Sequence, residues 1–362
     1  RKVLMQAPKN GFFFVLDRAD GKLISANNYV PVNWATGFDL KTGRPIENPD
    51  SRYYRTGKMW LGTPGPIGAH NWHPMAYSPK TGLVYIPAIN NSFAFIHNPD
   101  WKANKQGFNV GLDLSSGMLP ADKAMRAAAK AVTTGELVAW DPVAQKARWT
   151  IKYPGAWNGG LLSTAGDLLF QGNMAGEFNA FDPANGKKLW SFNAQTGIVA
   201  PASTFRVKGE QYVAVLAGWG GAWPITAGYL SEPNGPIRNQ SRLLVFKLGG
   251  KAKLPDMDSA APPPLDPPAS TGTPAQLAEG QKQFGQFCAV CHGDAAIGTS
   301  LTRDLRRAGS LGDAKMWNDI VIGGALSANG MVSWKNELTP QQSEAVRLYV
   351  IKRANEDKAL GD

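Results

Sequence analysis

Ala180-Phe181-Asp182-Pro183-Ala184-Asn185-Gly186-Lys187-Lys188-Leu189-Trp190 reads as a strand end, a tight turn and a second strand that leads to an indole. The Asp side chain caps the turn, Gly takes the positive φ angle, and the Trp is left to pack between neighbouring sheets. The unit occurs twice upstream. One copy is Val15-Leu16-Asp17-Arg18-Ala19-Asp20-Gly21-Lys22-Leu23-Ile24, and the other is Ala139-Trp140-Asp141-Pro142, ending in Arg148-Trp149. Such a unit, repeated along a chain of short strands, predicts an all-β propeller. A β-sandwich with coincidental Asp/Gly turns is the competing arrangement.

The surroundings of the repeat fit. Lys41-Thr42-Gly43 and Lys80-Thr81-Gly82 divide residues 1–248 into further short strands. The chain has 362 residues, enough for two domains, and its 40 Gly, 12 Trp and 18% charged residues suit a turn-rich β protein. No run of about 18 apolar residues is present to span a membrane. The net charge of +10 is scattered through turns and forms no stripe, so nucleic acid is not an expected partner, whereas an acidic protein is. The chain enters a strand almost at once, at Phe12-Phe13-Phe14-Val15-Leu16, as though its upstream half lay elsewhere.

Residues 249–272 change character. Pro262-Pro263-Pro264 and Pro267-Pro268 predict a stiff, extended linker. Residues 273–362 then read as an all-α domain. Thr273-Pro274-Ala275-Gln276 and Thr339-Pro340-Gln341-Gln342 each combine an N-cap, a Pro at the first helical position and a capping-box Gln. Gly280, Phe284 and Phe287, and later Ala345, Leu348 and Tyr349, follow at helical spacing as core positions, and Gly280 leaves room for a second helix.

Cys288 and Cys291 are the only cysteines, and His292 follows them directly. C-x-x-C-H is the attachment site of a c-type haem. One helical turn offers both thiols to the haem edge, and the adjacent His reaches the iron. A thioredoxin-like pair would need a βαβ unit beside it, and a zinc site would need more Cys or His than this domain has. With no other His available, the sixth ligand is Met316 or Met331. Met316 lies at helical spacing with Trp317, Ile320 and Val321 and is expected in the core. Met331, in the loop-like Asn329-Gly330-Met331-Val332-Ser333-Trp334, is the expected ligand. His/Met ligation leaves the iron no open position and suits electron transfer. Haem attachment of this kind implies export, so a periplasmic location is expected.

A propeller joined through Pro-rich chain to a cytochrome resembles the quinohaemoprotein alcohol dehydrogenases, enzymes that use pyrroloquinoline quinone (PQQ). The resemblance rests on residues 1–12, on Gly68-Ala69-His70-Asn71-Trp72-His73-Pro74-Met75, on Trp157-Asn158-Gly159-Gly160 and on residues 164–172. It extends through the Trp-bearing repeat to Asp304-Leu305-Arg306-Arg307 and Gly330-Met331-Val332-Ser333. It implies the C-terminal portion of an eight-bladed propeller with PQQ at the axis. Lys9 then matches the cation that polarises the reactive quinone carbonyl, and Asn71, Trp72, Trp157 and Asn158 match residues lining the cofactor. His70 and His73 are read as structural, and Trp219 and Trp223 as core, with walls of the site as their alternative role.

The family's catalytic Asp, calcium ligands and vicinal cysteine pair match no residue here and are expected upstream. The resemblance implies hydride transfer from a small-molecule alcohol to PQQ. Electrons would leave through the haem to an acceptor such as a cytochrome, a blue copper protein or a quinone. A chain carrying the N-terminal propeller half is an expected partner. Polyols or polymeric alcohols are alternative substrates, and an electron-transfer subunit with no quinone chemistry is the alternative role.

Overall fold

The computed structural model describes residues 1–232, 237, 239–257, 262–299 and 301–361. Four sheets follow one another along the chain. The first joins β1 (Val3–Gln6), β2 (Phe12–Asp17) and β3 (Leu23–Asn28). Two short ribbons project after it: β4 (Ala35–Asp39) with β5 (Arg44–Glu47), and β6 (Trp60–Gly62), whose partner β9 (Phe93–Phe95) comes later. The second sheet holds β7 (Ala76–Ser78), β8 (Leu83–Asn90), β10 (Thr134–Asp141) and β11 (Lys146–Tyr153). The third holds β12 (Leu161–Ser163), β13 (Leu169–Gly172), β14 (Glu177–Phe181) and β15 (Lys188–Asn193). The fourth holds β16 (Ala202–Val207), β17 (Glu210–Ala217) and β18 (Arg242–Lys247). All pairings within these sheets are antiparallel.

The quoted repeat builds the same object each time. In the first and third copies, Asp17 and Asp182 accept from the backbone two residues on, and the N–H groups of Gly21 and Gly186 return to their carbonyls. Those glycines have φ of 73° and 75°. In the second copy Gln145 fills the left-handed position, with φ 53°, and the turn survives on bonds to Asp141. A β-bulge just before each Asp completes the equivalence.

Sheets pack face to face in succession. Phe13 and Val15 of the first meet Ile86, Val138 and Trp140 of the second. Leu137 and Tyr153 meet Leu161 and Phe181 of the third, whose Phe170 and Phe178 meet Val215 and Leu244 of the fourth. That serial stacking is propeller-type and differs from a sandwich, where two sheets share a single core. The indoles act between sheets, as the repeat predicts. Trp149 Nε1 donates to the Pro183 carbonyl of the next sheet at 3.2 Å, and Trp190 lies edge-on to Phe246 of the fourth.

Helices begin with α1 (Tyr53–Thr56) in the first insertion and α2 (Lys123–Val132) in a second, between β9 and β10; α3 (Ala222–Thr226) follows β17. The C-terminal domain contains α4 (Pro274–Gln283), a π-helical turn over Phe284–Cys288, α5 (Ala289–His292), α6 (Ala314–Val321) and α7 (Pro340–Ala359). Both capping boxes form at Thr273 and Thr339. Gly280 lies against the Ala345 backbone, closer than any side chain would allow.

Residues 258–261 of the Pro-rich segment lie outside the described residues. Before them, Leu254 packs on the third and fourth sheets and Pro255 O accepts from Gln195; after them, the segment is docked on the helical domain. Leu265 is buried, and the carbonyls of Pro263 and Pro268 accept from Arg307 and Asn355. Among the described residues no helix is long and apolar enough to cross a membrane.

Candidate functional site

Two sites emerge. At the first, the end of the π-helical turn and α5 carry Cys288, Cys291 and His292 within about one turn of helix. Cys288 is buried, and burial pushes its thiol pKa up to about 12; Cys291 is exposed. The His292 ring places Nδ1 3.1 Å from the Arg303 carbonyl. A carbonyl can only accept, so Nδ1 carries the proton and Nε2 keeps its lone pair. Haem fits here: two thiols, an oriented imidazole with a free Nε2, and an apolar wall of Phe284, Phe287, Leu311 and Trp334. Met331 packs against this cluster.

Met316 does not take the core role expected of it. It is 49% exposed, because Trp317 and Val321 form the inward stripe of α6, and Trp317 is anchored by a bond to the Ser343 carbonyl. A methionine turned to solvent is no better placed as a ligand, so Met331 keeps that expectation.

The second site is at one end of the sheets, where loops converge. Gly68, with φ 83°, allows the Lys9 side chain to cross directly over its Cα. Lys9 Nζ donates to Pro66 O at 3.3 Å, and Asn71 Nδ2 to the neighbouring Ile67 O at 2.8 Å. His70 has ring nitrogens 2.6 Å from the carbonyls of Ala7 and His73, and so ties this loop to the one before β2. Trp72 is 59% exposed, stacks on His73 and meets Trp157 edge-on at 5.1 Å. Trp157 is fully buried and stacks on Trp223. Asn158 is buried with both ends engaged, donating to Gly155 O and accepting from Met174 N.

Lys9, Asn71, Trp72, Trp157 and Asn158 are thus brought to one end of the sheets, with different roles open to them. A flat anionic quinone fits the exposed Lys9 ammonium and the free face of Trp72. Trp157 and Asn158 lie behind these groups as support. An open cleft of about 770 Å³ lies beside Trp72, lined further by His73, Pro201, Leu216, Gly221 and Leu243. His73 is buried with both ring nitrogens unpaired, and burial, assisted by the charge of His70, lowers its pKa to about 4. Trp219 and Trp223 are buried, as core positions should be. Among the described residues no group of three or more His, Cys, Asp or Glu side chains is arranged to hold a metal ion.

Comparisons with known proteins fall along the same division. The family described as "Glucose/ethanol/alcohol dehydrogenase, beta-propeller domain" matches residues 117–213, and "Cytochrome C oxidase, cbb3-type, subunit III" matches residues 275–350. The dehydrogenase subunit of the quinone alcohol dehydrogenase of Acetobacter aceti is 46% identical over 98% of this chain and 48% of its own length. The chain is homologous to the C-terminal half of the quinohaemoprotein alcohol dehydrogenases. Alcohol dehydrogenase ADH IIB of Pseudomonas putida is likewise 46% identical, over 99% of this chain and 50% of its own length. The solved structure of the quinohaemoprotein ADH-IIG from that organism superposes with a TM-score of 0.91 at 41% identity, over 98% of this chain and 52% of that one. The chain spans about half the length of the curated quinohaemoprotein relatives it matches, their C-terminal half.

Sequence reasoning did not reach the Arg303 carbonyl, because any residue can supply a backbone acceptor. It also passed over α2, although Asp122 followed by the Ala-rich run 124–131 is a helix signal.

Proposed function

We propose that this chain provides the C-terminal portion of an eight-bladed propeller and the haem c domain of a periplasmic enzyme that oxidises alcohols to aldehydes. The observation that carries this reading is the continuity between the two sites. Trp72 touches Trp157, Trp157 stacks on Trp223, and Trp223 belongs to α3, which packs on α5 beside the C-x-x-C-H motif. A site for a flat redox group and a haem site are therefore joined by packed protein within one chain.

When bound, PQQ supplies the hydride acceptor and haem c a one-electron carrier. Lys9 would offer its ammonium to a quinone carbonyl oxygen and stabilise negative charge there. Asn71 fixes the loop that presents Trp72, whose free indole face supports a planar ring. Cys288 and Cys291 would hold the haem and His292 and Met331 would ligate its iron, a coordination suited to electron transfer. The carboxylate that takes the hydroxyl proton and the calcium ligands belong to the N-terminal half of the propeller. The acceptor is an external cytochrome, blue copper protein or quinone. The substrate is a primary alcohol, with polyols and polymeric alcohols as variants.

Reconstitution with PQQ and calcium, with and without the N-terminal half, tests the proposal. Ethanol-dependent dye reduction only when both halves are present supports it, and no quinone binding by the complete propeller refutes it. The burial of Trp157 and the saturated bonding of Asn158 favour a second reading, an electron-transfer subunit without quinone chemistry. The same experiment separates the two.

A further inference from the structure

We infer that Arg126, on the propeller insertion, is a positioning residue for the iron-ligating histidine of the cytochrome. The chain of contacts starts in α2. Arg126 is almost wholly buried; its Nε donates to Pro120 O at 2.9 Å and one terminal nitrogen to Asp357 Oδ1 at 2.7 Å. Asp357, at the end of α7, is fully buried, and its other oxygen accepts from Arg306 at 2.9 Å. Arg306 in turn grips Asp304 with two bonds, of 3.0 and 2.7 Å. Asp357 thus links Arg126 to Arg306, Arg306 links Asp357 to Asp304, and Arg307 adds a weaker pair to Asp304 at 3.6 Å.

Asp304 is where the network meets the haem site. Its amide nitrogen and the Arg303 carbonyl belong to the same peptide group, which is planar and turns as a unit. Holding Asp304 therefore fixes the direction of the carbonyl that accepts from His292 Nδ1. Asp304 is pinned further by accepting from the Arg306 amide. The network thus runs from a helix of the propeller to the group that sets the plane of the His292 ring. Partners of this kind orient a metal-ligating histidine and tune its basicity. The inference rests on haem attachment at Cys288 and Cys291.

The test uses the full-length, haem-loaded enzyme carrying Arg126→Met or Arg126→Lys. The readouts are the EPR g values of the ferric haem, which respond to rotation of the histidine plane, and the haem midpoint potential. Arg126→Met is expected to displace the g values and shift the potential. Arg126→Lys, which keeps the charge but not both bonds, is expected to restore the native values in part. A lower melting temperature with unmoved g values and potential, in either variant that folds, overturns the inference and leaves the network a purely structural tie. Loss of acid-stable haem from the native protein would instead overturn the haem reading itself.

Discussion

His292 shows what a single residue's surroundings decide. Its Nδ1 bond leaves Nε2 for iron, and the loop that supplies the carbonyl is tightly folded. A Cβ on Gly298 would stand 2.5 Å from the Arg303 carbonyl oxygen. Gly298→Ala should therefore displace that carbonyl and perturb the haem spectrum without removing either thioether. On the opposite side, Met331→Ala should abolish the methionine–iron charge-transfer band of the oxidised protein, while Met316→Ala should leave it intact. His73 sets a pH dependence. Its folded pKa of about 4 lies below the unfolded value of about 6.5, so below that value the unfolded chain binds more protons. Stability should be full above pH 6.5 and fall by about 3 kcal/mol as pH drops toward 4. His73→Phe should flatten the fall, read by denaturant titration at each pH. Cys288, Cys291 and His292 were legible because their chemistry is local in sequence. Met316 was misplaced because neighbouring helix positions are about 100° apart. A reading of periodicity sees the stripe but not its edge, and Trp317 took the inward place.

At the scale of elements, the Asp-turn-Gly-Trp repeat earned its interpretation through one contact. Gly186 is the surface on which Trp149 of the preceding sheet lies, and a Cβ there would be 2.8 Å from the indole. Gly186→Ala combines that clash with a left-handed backbone and should cost about 2–3 kcal/mol. Gly209 has φ 86° but nothing within 4 Å of an added Cβ. Gly209→Ala should cost only the backbone strain, about 1 kcal/mol. Chemical denaturation of the two variants in the complete protein measures the difference. The turns were readable because each is closed by residues three to five apart. The insertions were not, since β4–β6, β9 and α2 break the repeat, β6 pairs with the distant β9, and α2 finds its partner in α7.

The whole molecule is held together by contacts that no local pattern announces. The insertion bearing α2 reaches across to α7, and the buried Arg126–Asp357–Arg306 network joins the two. Asp357→Ala leaves two buried guanidinium groups without their shared carboxylate and should destabilise the docked state by about 3–5 kcal/mol. The Pro-rich segment, expected as an extended spacer, is divided between the domains: Leu254 and Pro255 lie on the sheets, and residues 263–268 lie against the cytochrome. Contacts of this kind bring the Trp72 end of the sheets and the C-x-x-C-H motif into one continuous structure. The most direct test of that arrangement is rapid mixing of ethanol with the full-length enzyme loaded with PQQ and calcium, followed at the absorption band of reduced haem. The account predicts that alcohol reduces the haem, and that Lys9→Ala slows this by about 100-fold or more while dithionite still reduces it fully. A haem that alcohol never reduces, or a Lys9→Ala enzyme that reduces it at the native rate, would contradict it.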